Sequence, residues 1–87
     1  KRHEEALQIC EEAIQIDPKL STAYKNKGNI LYNLKRYEEA LQECEQAIQM
    51  NPHLVPAYAI MGMALSKLKR YQESSAVFAK WSESYFS

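Results

Sequence analysis

The chain has 87 residues, with 11 Lys and Arg against 11 Asp and Glu, and a mean hydropathy of -0.52. A balanced charge gives no long-range field to draw nucleic acid or an anionic membrane, and the longest nearly apolar run, LVPAYAIMGMAL, has 12 residues and a proline, too short to span a bilayer. The two cysteines make no disulfide framework, no stretch reads as a signal peptide, and the default compartment is the cytosol or another reducing space.

Residues 1–20, KRHEEALQICEEAIQIDPKL, return as residues 35–54, KRYEEALQECEQAIQMNPHL, with 14 of 20 positions identical at an offset of 34. Such a period marks stacked supersecondary units that each contact only their neighbours, so the product is an extended surface with no closed pocket. The offset divides the chain into residues 1–20, the second half of a unit; 21–54, a complete unit; and 55–87, a complete but divergent one. Because the chain starts in mid-unit and without Met, we expect it to be part of a longer array. Two and a half units fall short of the roughly three that solenoids usually need.

In chain order the periodicity predicts helices over about 2–16, 21–34, 37–50, 56–68 and 71–85. In the first, Ala6, Leu7, Cys10, Ala13 and Ile14 share a helical face, and Pro18 closes the element because proline disfavours a helical residue before it. Tyr24, Gly28, Leu31 and Leu34 carry the second helix. Lys35 and Arg36 then shift the phase, marking a tight turn. The third runs on Tyr37, Ala40, Leu41, Cys44, Ala47 and Ile48 and ends at Pro52. Pro56 suits a first helical turn. Nothing alternates with period two, so no sheet is expected.

Gly28 and Gly62, one period apart, are the only glycines, and each falls in mid-helix at a cost of about 1 kcal/mol relative to Ala. Retaining both predicts that two helix backbones cross there too closely for a side chain, with Ala40 and Ala47 as the small residues opposite. Cys10 and Cys44 share a slot that Phe78 fills in the last unit, which reads as buried apolar packing. His3 and His53 have no metal-ligand spacing to the cysteines. The Glu pairs at 4–5, 11–12 and 38–39 read as solvated helical faces, and the Lys-Arg pairs at 1–2, 35–36 and 69–70 as solvated turns. No nucleophile has a base at a motif distance and no phosphate loop is present, so neither catalysis nor a cofactor is expected.

Tyr24, Gly28, Leu31, Tyr37, Ala40, Ala47 and Pro52 stand at the spacing of the tetratricopeptide repeat, which the entire chain resembles; Tyr58, Gly62, Leu65 and Tyr71 continue it, and Ala6, Ala13 and Pro18 supply it at the start. The resemblance implies an all-α fold, a right-handed superhelical solenoid of antiparallel helix-turn-helix units whose first helices line a concave groove, and a role as a scaffold that binds protein segments. Departures are Lys27 where leucine is frequent, and Ser74 and Trp81 in the two alanine slots of the last helix.

By the resemblance, the groove is lined by Thr22, Lys25, Asn26, Asn29, Tyr32 and Asn33, then by Pro56, Ala59, Ile60, Met63, Ser66 and Lys67. Amides donate and accept at once and can hold an extended backbone. We therefore expect an acidic or C-terminal group near Lys25 and Asn29 and an apolar residue near Ile60 and Met63. Relatives that hold acidic chaperone tails use a carboxylate clamp of Lys and Asn, Asn, then Lys and Arg from three successive units. Lys25 and Asn29 match its opening, but Ile60 stands at the next Asn; in the other register, with Asn26 in the middle, Pro56 and Ile60 stand at the Lys and Arg. The clamp is incomplete, and a chaperone tail is not the expected ligand. An alternative from another class is an oligomerisation segment that dimerises through Leu7, Cys10 and Ile14 at one end and Phe78, Trp81 and Tyr85 at the other; a third is a docking arm of a larger enzyme.

Overall fold

The structure, a computed structural model, describes the backbone of residues 2–86 and the side chains of 2–83. Its five helices are α1 (Arg2–Ile16), α2 (Ser21–Asn33), α3 (Tyr37–Met50), α4 (Val55–Lys67) and α5 (Tyr71–Phe86), with no strand among the described residues. The expected boundaries hold to within a residue, and α4, which begins at Val55, takes Pro56 into its first turn as expected.

The repeat in sequence becomes a repeat in local structure. Ahead of Pro52, Asn51 is extended (φ -139°, ψ 92°), and its Oδ1 accepts the His53 N–H at 3.2 Å. Asp17 does the same for Lys19 at 3.1 Å, one period earlier. Such self-bonding side chains give a backbone leaving a helix a local partner. At the turns inside each unit, Arg36 N–H reaches the Leu31 carbonyl at 2.9 Å and Lys35 N–H the Tyr32 carbonyl at 2.9 Å, a pairing repeated by Arg70 to Leu65 and Lys69 to Ser66. This double closure is the Schellman motif, which needs a left-handed residue. Lys35 (φ 64°) and Lys69 (φ 62°) adopt that conformation without being glycine. Lys35→Gly should therefore relieve strain that exceeds the entropy glycine adds to the unfolded chain, stabilising the protein by about 0.5–1 kcal/mol and raising Tm by a few degrees in a thermal melt.

The arginines of those turns are tied back to their own helices. Arg36 forks onto Glu39 at 2.7 and 2.6 Å and Arg70 onto Glu73 at 2.6 and 2.8 Å, while Arg70 also reaches Glu38 of the preceding unit at 3.2 Å. Hydrogen bonding to the guanidinium holds each carboxyl, Glu39 and Glu73, below its ordinary range.

Successive helices pack on one another, and α2 also packs on α4. One core cluster joins Cys44 and Ala47 of α3 to Ala57 and Ile60 of α4, with Tyr24, Tyr32 and Ile48 around it. A second joins Leu41 to Ala64 and Leu65, with Tyr37, Met61 and Val77. Both straddle the boundary between units, so the array is held together between copies as much as within them. Tyr58, buried beside this seam, donates its hydroxyl to the Pro52 carbonyl at 2.8 Å.

The glycines are explained by side chains more than by crossing backbones. A Cβ built on Gly28 lies 2.5 Å from Cys44 Sγ and 3.3 Å from the Ala40 carbonyl oxygen; one built on Gly62 strikes the Phe78 ring. Each glycine is a notch filled from the helix that follows. Ala40 sits opposite as expected, but Ala47 packs forward with Ala57 and Ile60 into the next unit. Where α3 has Ala40, α5 has the buried Ser74, which donates to the Gly62 carbonyl at 3.0 Å and lies 3.2 Å from the Ser66 hydroxyl. Its polarity is thereby satisfied inside the helix pair.

Candidate functional site

The pattern of helix contacts sets the curvature. The backbones of the first helices of the two complete units, α2 and α4, come close together, whereas among the described residues those of α1 and α3, and of α3 and α5, do not. First helices therefore form an inner row and second helices a splayed outer row. Clefts open between the splayed helices: one of about 480 Å³ lined by Glu11, Gln15, Lys27, Gln42 and Glu43, and, one period on, one of about 310 Å³ lined by Glu45, Gln49, Met61, Val77 and Lys80.

Charge follows the same division. None of the acidic residues lies on α2 or α4; ten are on α1, α3 and α5, and Asp17 is in the linker. Of the three lysines on the first helices, Lys27 is taken by the outer row, 3.6 Å from Glu11 and 3.5 Å from Glu43. No carboxylate among the described residues pairs with Lys25 or Lys67. A chain of zero formal net charge thus has an inner row with cations and no anions, a signal present in the sequence but averaged away in the net charge.

Of the expected groove residues, Thr22, Asn26, Asn29, Asn33, Pro56, Ala59, Met63, Ser66 and Lys67 are exposed, and Lys25 and Tyr32 are half-buried. Met63 presents 41% of its surface. Tyr32 leans on the core, its ring 5.4 Å from that of Tyr37, so only part of it faces outward. Ile60 has to be withdrawn from the contact surface: it is 5% exposed and packs with Cys44, Ala47 and Ala57. Asn26, in the same slot one period earlier, is exposed. On α4 that slot lies in a seam with both helices of the preceding unit; on α2 only α1 of the preceding unit packs among the described residues.

The expected self-association surfaces also change. Cys10 is buried, while Leu7 and Ile14 are half-buried beside α2, so α2 already covers the face expected to be open. The large apolar residues that α1 exposes are Ile9 and Ile16, which the sequence reading passed over. On α5, Phe78 is 44% exposed despite its seat on Gly62 and Trp81 is half-buried; the side chain of Tyr85 lies outside the described ones. No group of three or more His, Cys, Asp or Glu among the described residues could hold a metal ion, and no helix is long and apolar enough to cross a membrane.

Comparison with known proteins bears on this arrangement. Tetratricopeptide repeat models match residues 21–54 and, separately, residues 1–20 and 55–81. A search of curated proteins finds no match. Among solved structures, the second tetratricopeptide domain of Spaghetti (RPAP3) bound to the HSP90 peptide SRMEEVD superposes with a TM-score of 0.88 at 25% identity, covering 93% of this chain and 75% of that one. The Arabidopsis OM64 domain gives 0.88 at 30% identity over 91% and 65%, and the yeast Sti1 TPR2B domain in complex with an Hsp70 peptide 0.89 at 25% over 92% and 64%. The chain thus spans about two thirds of the latter two domains. With repeat models covering all but its last residues and a solenoid of paired helices to match, the chain belongs to the tetratricopeptide repeat family.

Proposed function

We propose that this chain is a protein-interaction scaffold whose inner row, α2 and α4, holds an extended partner segment with an acidic or C-terminal carboxylate near Lys25 and Asn29. The observation that carries this reading is the absence of any acidic residue from α2 and α4, beside Lys25 and Lys67, with which no carboxylate among the described residues pairs. An anion approaching that row meets cations and the amides of Asn26, Asn29 and Asn33, and no carboxylate to repel it. Met63, 41% exposed, is the apolar contact. The related domains of Spaghetti and Sti1, in complex with HSP90 and Hsp70 peptides, support a peptide in this groove. Ile60 departs from the clamp of such domains, so the partner we propose is an acidic segment with an apolar residue for Met63, not a chaperone tail.

The test is fluorescence anisotropy with labelled peptides carrying a Glu- or Asp-rich end and one apolar residue, against the same peptides with Gln and Asn. Binding should favour the acidic set and weaken as salt rises. Lys25→Ala combined with Asn29→Ala should weaken it at least tenfold. Equal affinity for both sets, or no effect of the double substitution, would rule out this orientation. Self-association through exposed ends is the second reading, favoured by the exposure of Ile9, Ile16 and Phe78; light scattering at millimolar protein reads it directly, and a monomer would remove it.

A further inference from the structure

We propose that the inner row selects an extended, internal partner segment with two acidic side chains four residues apart and an apolar one midway, a spacing rule that rests on the reading of α2 and α4 as the binding face. The rule comes from where the chain places its cations. On α2, Lys25, Asn29 and Asn33 follow one another at intervals of four, and on α4 the same slots hold Ala59, Met63 and Lys67. Residues four apart form a ridge along a helix. The backbones of α2 and α4 come close together, and Lys67 stands two turns beyond Ile60, on the side of α4 that packs toward the preceding unit. The two ridges therefore flank one furrow, with a cation at each end: Lys25 in the second turn of α2 and Lys67 in the last turn of α4. Midway stand Asn29 and Met63, both exposed.

Helix dimensions give this diagonal a length. Lys67 lies eight residues beyond the slot of Lys25, about 12 Å along the axis, and packed helix axes lie about 8–10 Å apart, so the two cation positions are about 15 Å from one another. An extended segment rises about 3.4 Å per residue and turns every second side chain to the same face. Its side chains at i, i+2 and i+4 share that face and span about 14 Å, which the flexible lysine stems accommodate. They supply an acid for Lys25, an apolar residue for Met63 and an acid for Lys67, while the amides of Asn29 and Asn33 can donate to and accept from the backbone between. Two adjacent acids are too close together to engage both lysines well. In a helix, residues four apart rise only about 6 Å, so a helical segment of this sequence does not fit the diagonal either.

The probe is a labelled peptide, blocked at both ends so that it has no terminal charge, with Glu-Ser-Leu-Ser-Glu between Gly-Ser flanks. Fluorescence anisotropy at low salt compares it with a peptide of the same composition whose two acids are adjacent. The net charge of the two is equal, so general attraction to the cations is the same for both. An exposed ion pair contributes modestly, and the spaced peptide should bind about fivefold more tightly. Lys67→Ala, at an exposed position, should keep the circular dichroism spectrum and bring the two peptides to equal affinity. Equal affinity for the unsubstituted chain, or a preference that survives Lys67→Ala, would overturn the spacing rule; if Lys25→Ala with Asn29→Ala still weakens both peptides, the inner row remains the binding face. No binding up to millimolar peptide, or binding indifferent to Lys25, Asn29 and Lys67, would overturn the rule and the face together.

Discussion

Gly28→Ala should destabilise the protein by about 1–3 kcal/mol, whereas Gly62→Ala should be close to neutral. In an exposed helix the exchange of Gly for Ala gains about 1 kcal/mol. At Gly28 that gain is outweighed, because the new methyl falls 2.5 Å from Cys44 Sγ and 3.3 Å from the Ala40 carbonyl oxygen, and Cys44 is fully buried with nowhere to move. At Gly62 the obstacle is the Phe78 ring, which is 44% exposed and can swing toward solvent. Replacing the thiol should separate the two causes: in a Cys44→Ala background the cost of Gly28→Ala should shrink, a coupling that a double-mutant cycle of urea melts measures. Gly28→Leu should abolish cooperative unfolding of the native state, since no rotation of Cys44 makes room for it. Equal effects at both glycines would show that helix propensity alone governs these positions.

The native Cys44 thiol should react with an alkylating reagent at least a thousandfold more slowly than the same thiol in the unfolded chain. Burial pushes its pKa from 9.0 up to about 12, so at neutral pH the thiolate, the reactive form, is about a thousandfold scarcer than in an exposed cysteine. Cys10 is raised as well, by the same cause, with Lys27 acting against it. It belongs to α1, which among the described residues packs on α2 alone, and should therefore be the first thiol labelled as that helix opens. The linkage has a definite sign. A folded-state pKa above the unfolded value stabilises the protein at pH below 9.0, and that contribution is lost as pH rises toward about 12. Unfolding free energy should decline in that window by up to about 1.4 kcal/mol per pH unit from Cys44, and Cys44→Ala should flatten the decline.

The helices were legible because their ends are punctuated by residues with local causes: Pro18 and Pro52 stop α1 and α3, and the phase shift at Lys35 and Arg36 marks the turn that the left-handed Lys35 makes. The slots of Gly28 and Cys44 were legible as packing, but which atom met the glycine depended on the crossing of two helices, which spacing does not give. Ile60 was misplaced for a related reason. Its slot is outward on α2, where Asn26 is exposed, and inward on α4, where the preceding unit closes over it, so a repeat pattern cannot assign one environment to both. Ile9 and Ile16 escaped notice because they lie off the stripe shared with the other copies. The segregation of charge needed no coordinates beyond the order of the helices, yet it vanishes in a sum over the chain.

The most direct test of the central claim, that the inner row of α2 and α4 is the partner-binding face, is a backbone NMR titration with an acidic peptide bearing one apolar residue. Saturable shifts confined to Lys25, Asn26, Asn29, Asn33 and the neighbourhood of Met63, diminished by salt, are the predicted result. Shifts centred on α1, α3 or α5, or none up to millimolar peptide, would contradict it.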